Sequence, residues 1–175
     1  MKIRGNKGFT LIELLIVVAI IGIIAAIAVP GLMRARMSGN EASAIGSLRA
    51  INSGQAAYST SCASGGYAVD LADLVKPATG SNAGFISPDL KSNGVTKSGY
   101  FVGITHDANP VPLNSVVTCN ASTATPEASY FATADPMTPG GTGTRYFATD
   151  TRGTIFFSLT ATMANPIPAA SQVVQ

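Results

Sequence analysis

Few residues in this chain have the types and spacing to do chemistry. His106 is the only histidine, it adjoins Asp107, and no G-x-S-x-G or comparable nucleophile setting accompanies it. It reads as a surface-loop residue, and no enzyme is expected. Cys62 and Cys119 lack the C-x-x-C spacing of a redox pair and have no histidine nearby to complete a metal site. The remaining group of interest is a carboxylate in an unusual place. Glu13 lies inside Phe9–Val29, where the only other side chain that is neither apolar nor glycine is Thr10.

The run that holds Glu13 dictates the organisation of the chain. A helix rises ~1.5 Å per residue, so crossing ~30 Å of hydrocarbon takes about 20 residues, which is what the run supplies before Pro30. The preceding MKIRGNKG carries Lys2, Arg4 and Lys7 and no acid, which holds this end in the cytoplasm by the positive-inside rule. An ordinary signal peptide has the same layout, and Ala26-Ile27-Ala28 offers an A-x-A cleavage site. Against that reading, the run exceeds the usual ~7–15 apolar residues. Its glutamate also costs on the order of 2.5–3.5 kcal/mol at the bilayer centre, with no benefit to a signal or a plain anchor. The carboxylate is expected to wait for a positive partner. Everything after the run then lies outside the cytoplasm, where Cys62 and Cys119 read as a structural disulfide worth ~4–5 kcal/mol in the chain-entropy model.

Gly8-Phe9-Thr10-Leu11-Ile12-Glu13 resembles the class III signal of the type IV pilin and type II secretion pseudopilin family, and the likeness covers residues 1 to about 60. The resemblance implies a leader at 1–8, cut by a prepilin peptidase after Gly8 and methylated on the new amino terminus at Phe9. It also implies assembly through Phe9 and Glu13, and helix loosening at Gly22 and Pro30. The physics agrees with it. An ammonium at Phe9 lies about one helical turn from Glu13, and in a filament the ammonium of one subunit can meet the glutamate of the next. Two charges too costly to bury singly become tolerable as a pair. Pro30 removes a helix hydrogen bond, and Gly22 is a weak helix residue by roughly 1 kcal/mol relative to Ala.

The fold expected is α+β: a long helix over 9–62, with a transmembrane segment at 9–30, packed on a small antiparallel sheet. Past Pro30, Ile45, Leu48, Ile51 and Tyr58 recur at near-helical spacing with Asn40, Glu41, Ser47 and Arg49 between them, an amphipathic continuation of the rod. Gly65-Gly66 ends it. Tyr67–Leu74 reads as a loop with a helical turn whose Leu71 and Leu74 cover the rod. Strand-like runs follow at Gly99–Thr105, Ser129–Thr133, Arg145–Thr149 and Thr154–Leu159, the last two joined by a turn ending at Gly153. The extracytoplasmic domain is expected over 63–162, with a loose tail over 163–175 containing two prolines.

Eleven Lys and Arg face nine Asp and Glu, but three of the basic residues sit in the leader, leaving eight against nine in the mature chain. No basic patch remains to neutralise nucleic-acid phosphates. The resemblance brings one cofactor to test, because related major pseudopilins bind calcium in a C-terminal loop and the stretch after Asp135 is similar. One acid is thin for a cation that takes 6–8 oxygens, so no cofactor is expected. The partners implied are further copies of the chain, prepilin peptidase, an inner-membrane assembly platform and the membrane. The expected product is a type IV pilus-like filament subunit of a bacterium, held in the inner membrane before assembly. Two alternatives are a type II secretion pseudopilin and a signal-anchored periplasmic enzyme or binding domain.

Overall fold

The structure is a computed structural model that describes residues 8–174. Lys2, Arg4 and Lys7 of the expected leader lie outside the described residues. The chain divides into two compact units, Met1–Arg36 and Met37–Gln175. Helix α1 runs from Leu11 to Ser61 without interruption at Gly22 or Pro30.

Within Met37–Gln175, α1 turns one stripe inward. Ala44, Leu48, Ile51, Gln55 and Tyr58 recur three or four residues apart and are all buried, the period of one helix face. Gly65, at φ 96°, and the N–H of Gly65 donating to Ser59 O terminate the helix. Only a residue free of Cβ crowding adopts that left-handed backbone readily. Helix α2 (Leu71–Val75) is capped by Asp70, whose side chain accepts from Ala72 N, and its Leu71 and Leu74 are fully buried in the core shared with α1. A 3-10 turn follows at Pro88–Leu90.

Six strands form an antiparallel meander in the order β1 to β6: β1 (Val95–Lys97), β2 (Tyr100–Thr105), β3 (Phe131–Pro136), β4 (Tyr146–Asp150), β5 (Ile155–Ser158) and β6 (Gln172–Val173). Alternation sets the inner face. Tyr100, Val102 and Ile104 of β2, with Ala132 and Ala134 of β3, join the α1 core. The β4–β5 turn closes with Gly153 N donating to Asp150 O, as the sequence predicts.

Two strands depart from expectation. β3 continues to Asp135 and Pro136, which pair with Phe101 and Tyr100 of β2, although both residue types are depleted in strands. The pairing partner overrides the local preference. β1, only three residues long, carries too short an alternation to read.

The larger correction concerns the tail from Met163, which is not loose. Residues between Ser158 and Gln172 form a strap whose Met163 and Ile167 are buried against Phe131, Ala148 and Phe156 in a second core on the outer face of the sheet. Asn165 ties it down, donating to His106 O and accepting from Ala108 N. β6 then pairs with β5, Val173 opposite Phe156. Prolines and a missing alternation hid this segment because two anchoring side chains, not a periodic face, hold it.

Candidate functional site

The residues that the sequence marks for processing and assembly lie together at the start of α1. Gly8 and Phe9 are exposed, and Glu13 sits in the first helical turn. Thr10 precedes that turn. The Thr10 N–H and Oγ1 both donate to Glu13 Oε2, at 2.9 and 2.5 Å, while the Glu13 N–H donates back to Thr10 Oγ1 at 3.3 Å. This is a reciprocal capping box, in which side chains satisfy backbone groups that a helix start leaves without partners. Glu13 therefore has a local role that reasoning from membrane depth alone overlooked. The signal was present as T-x-x-E before an apolar run.

Beyond the cap, the helix exposes an apolar surface. From Leu11 to Met33 its large apolar side chains are between 48% and 81% exposed. It is the one helix among the described residues long and apolar enough to cross a membrane, judged by length and composition. Gly22 and Gly31 have nothing within 4 Å of where a Cβ would stand, so space does not demand glycine at either.

Two buried acids of the domain are paired internally. Glu41 on α1 is 6% exposed and accepts from Thr144 N, Thr144 Oγ1, Arg145 N and Arg145 Nε at 2.8, 3.0, 3.3 and 2.7 Å. Burial works against its charge, but the bonds from Thr144 and Arg145 outweigh burial and hold the carboxyl below its ordinary range. Asp73 behaves likewise. Burial is offset by the N–H groups of Thr123 and Ala124 and by Lys76, and its carboxyl is also held low.

The cysteines come together as expected: Cys62 and Cys119 form a disulfide with an S–S distance of 2.01 Å. His106 lies in a loop and is exposed, as expected, but it has a partner. Its Nδ1 lies 2.7 Å from Oε1 of the buried Glu127, although the imidazole itself is largely exposed. No sequence signal links the two, since they are brought together by the long connection between β2 and β3.

Asp135 is the one acid of the stretch weighed for calcium. It sits at the end of β3, where burial pushes its carboxyl above the ordinary range. Its Oδ2 accepts from Thr162 Oγ1 and its Oδ1 is buried without a partner. Among the described residues no three His, Cys, Asp or Glu gather to hold a metal.

The class of the N-terminal segment follows from comparison with known proteins. Residues 3–29 match the prokaryotic N-terminal methylation motif. The chain is 47% identical over 53 residues to the type IV major pilin protein PilA of Myxococcus xanthus, covering 30% of this chain and 24% of that protein. It is 60% identical over 38 residues to the type IV wide pilus major component PilA4 of Thermus thermophilus, covering 22% of this chain and 29% of that protein. The N-terminal segment is thus similar to the corresponding segment of type IV pilins. The chain spans about a quarter of the length of the curated relatives it matches. No solved structure matches it.

Proposed function

We propose that this chain is a structural subunit of a type IV pilus-like filament. The observation that carries the reading is the exposed apolar stretch of α1 from Leu11 to Met33, with one carboxylate in its first turn, in a segment matching the methylation motif. In this reading residues 1–8 are a leader removed by prepilin peptidase after Gly8, Phe9 becomes the methylated amino terminus, and residues 9–30 store the subunit in the inner membrane. Extraction transfers the same apolar surface from lipid to neighbouring copies, and Glu13 exchanges its capping bonds for the Phe9 ammonium of a neighbour. A charge-assisted bond of that kind is about twice as strong as a neutral one. Gly22 and Pro30 are the places where α1 loosens during assembly, since Pro30 donates no backbone hydrogen bond and Gly22 holds a helix weakly. The domain over Met37–Gln175 is the outward-facing part of the fibre.

Intact-mass measurement of the mature chain, with imaging of sheared surface fibres, tests the reading. The expected mass begins at a methylated Phe9, Gly8→Ala leaves the uncut precursor, and the fibres consist mainly of this protein. A chain starting near Val29 would overturn it in favour of an ordinary signal peptide. Correct processing with a secretion defect and no fibres would favour the pseudopilin alternative.

A further inference from the structure

β2 and β3 are adjacent and antiparallel, so a connection of two to five residues would join them. The chain instead inserts residues 106–130, which reach across to the end of α1. We propose that Asp73 docks this connection, and that the Cys62–Cys119 disulfide fastens a loop already held in place.

Asp73 lies on α2 with its side chain 2% exposed. Its Oδ1 accepts from Thr123 N at 2.7 Å and from Lys76 Nζ at 2.9 Å, and its Oδ2 accepts from Ala124 N at 3.0 Å. Two adjacent loop N–H groups thus end on one buried carboxylate. Asn120 Nδ2 donates to Asp73 O at 2.7 Å, Lys76 Nζ also reaches Thr123 Oγ1, and the Tyr58 hydroxyl lies 2.7 Å from Ser122 Oγ. All of these bonds except the Lys76–Asp73 ion pair grip residues 120–124, directly after Cys119. The backbone continues the same attachment, with Cys119 N donating to Cys62 O and Thr79 N donating to Cys119 O.

None of the side-chain bonds requires sulfur to be oxidised, so a loop held at 120–124 brings the Cys119 thiol beside Cys62 beforehand. Closure then follows ordinary exchange chemistry. One thiolate attacks an external disulfide such as oxidised glutathione and displaces one glutathione thiolate. The second cysteine then attacks the mixed disulfide and releases the other, so two electrons pass to glutathione and two protons leave the cysteines. The equilibrium reports the effective concentration of one cysteine at the other. By linkage, docking raises that concentration, and the disulfide strengthens docking by the same factor.

The test uses the full chain in detergent micelles, equilibrated in graded reduced and oxidised glutathione, then acid-trapped, alkylated and weighed. Asp73→Ala is expected to lower the effective concentration by about tenfold to a hundredfold, the scale of stripping partners from buried donors. Ser122→Ala, which keeps the carboxylate, should change it by less than about tenfold. Asp73→Asn carries the same test if the alanine variant does not fold. In the reduced wild-type chain, hydrogen exchange at Thr123 and Ala124 should stay slow. Unchanged effective concentration in the Asp73 variants, or loss of protection at those two amides on reduction of the wild type, would overturn the proposal.

Discussion

Deleting Met163–Gln175 should weaken the domain severely, although the sequence of that segment looks dispensable. Met163 is 8% exposed and Ile167 6%, and full burial of such a side chain is worth about 1.5–3 kcal/mol. The two together contribute about 3–6 kcal/mol, before the loss of the β5–β6 pairing and the Asn165 bonds. Whole domains are stable by only about 5–15 kcal/mol, so a large fraction is at stake. At about 2–4 °C per kcal/mol for a chain of this size, the melting temperature should fall by about 6–24 °C. The assay is thermal unfolding of the full chain in detergent, followed by tyrosine fluorescence. Ile167→Ala, expected to cost about 2–5 kcal/mol, separates the packing contribution from the strand pairing. A deletion variant melting within about 2 °C of wild type would refute the reasoning, because it would mean that the second core holds nothing.

Three further outcomes follow from particular contacts. The carboxyls of Glu41 and Asp73 are held low in the folded chain, so the stability they contribute is present above their unfolded values and lost as pH falls through the folded ones. Thermal melts between pH 7 and pH 2 should therefore weaken toward acid, and Glu41→Gln should flatten part of that dependence while lowering stability at pH 7. Gly143→Ala places a Cβ 1.9 Å from the Tyr100 hydroxyl oxygen and should cost about 1–3 kcal/mol by overpacking, read as a lower melting temperature. Glu13→Gln should leave cleavage and domain melting intact but abolish sheared fibre, since leaving the Phe9 ammonium unpaired costs about 3–5 kcal/mol at every subunit contact; normal fibre yield would contradict the pairing.

How far the sequence reveals this fold depends on how local each determinant is. The rod is legible because its period is local: Leu48, Ile51 and Tyr58 announce the buried face without reference to anything else. The β4–β5 hairpin is legible for the same reason, through the turn ending at Gly153. β6 and the strap are not, since Met163 and Ile167 become core residues only when the outer face of the sheet exists to receive them. The partners of Glu41 lie 103 and 104 residues away, at Thr144 and Arg145, and nothing in either stretch names the other. The capping role of Glu13 is legible as T-x-x-E at the start of an apolar run, because the cap is a local contact three residues apart.

The two compact units handle their surfaces in opposite ways, and that contrast bears on assembly. In Met37–Gln175 the buried acids Glu41, Asp73 and Glu127 each have a basic partner: Arg145, Lys76 and His106 respectively. Among the described residues of the first unit the apolar side chains are open throughout. Hydrocarbon and a neighbouring helix are nearly equivalent solvents for them, so apolar contact by itself does little to favour the fibre over the bilayer or one register over another. The discriminating group must be polar, and among the described residues of the segment before Arg34 the single ionisable side chain is Glu13. The capping box lets that carboxylate rest in the stored subunit with neutral donors from Thr10. In the filament reading a charged donor from another copy is a stronger partner for it, met at one axial offset. In the filament reading, then, the apolar length of α1 makes storage and assembly both tolerable, and Glu13 decides between them.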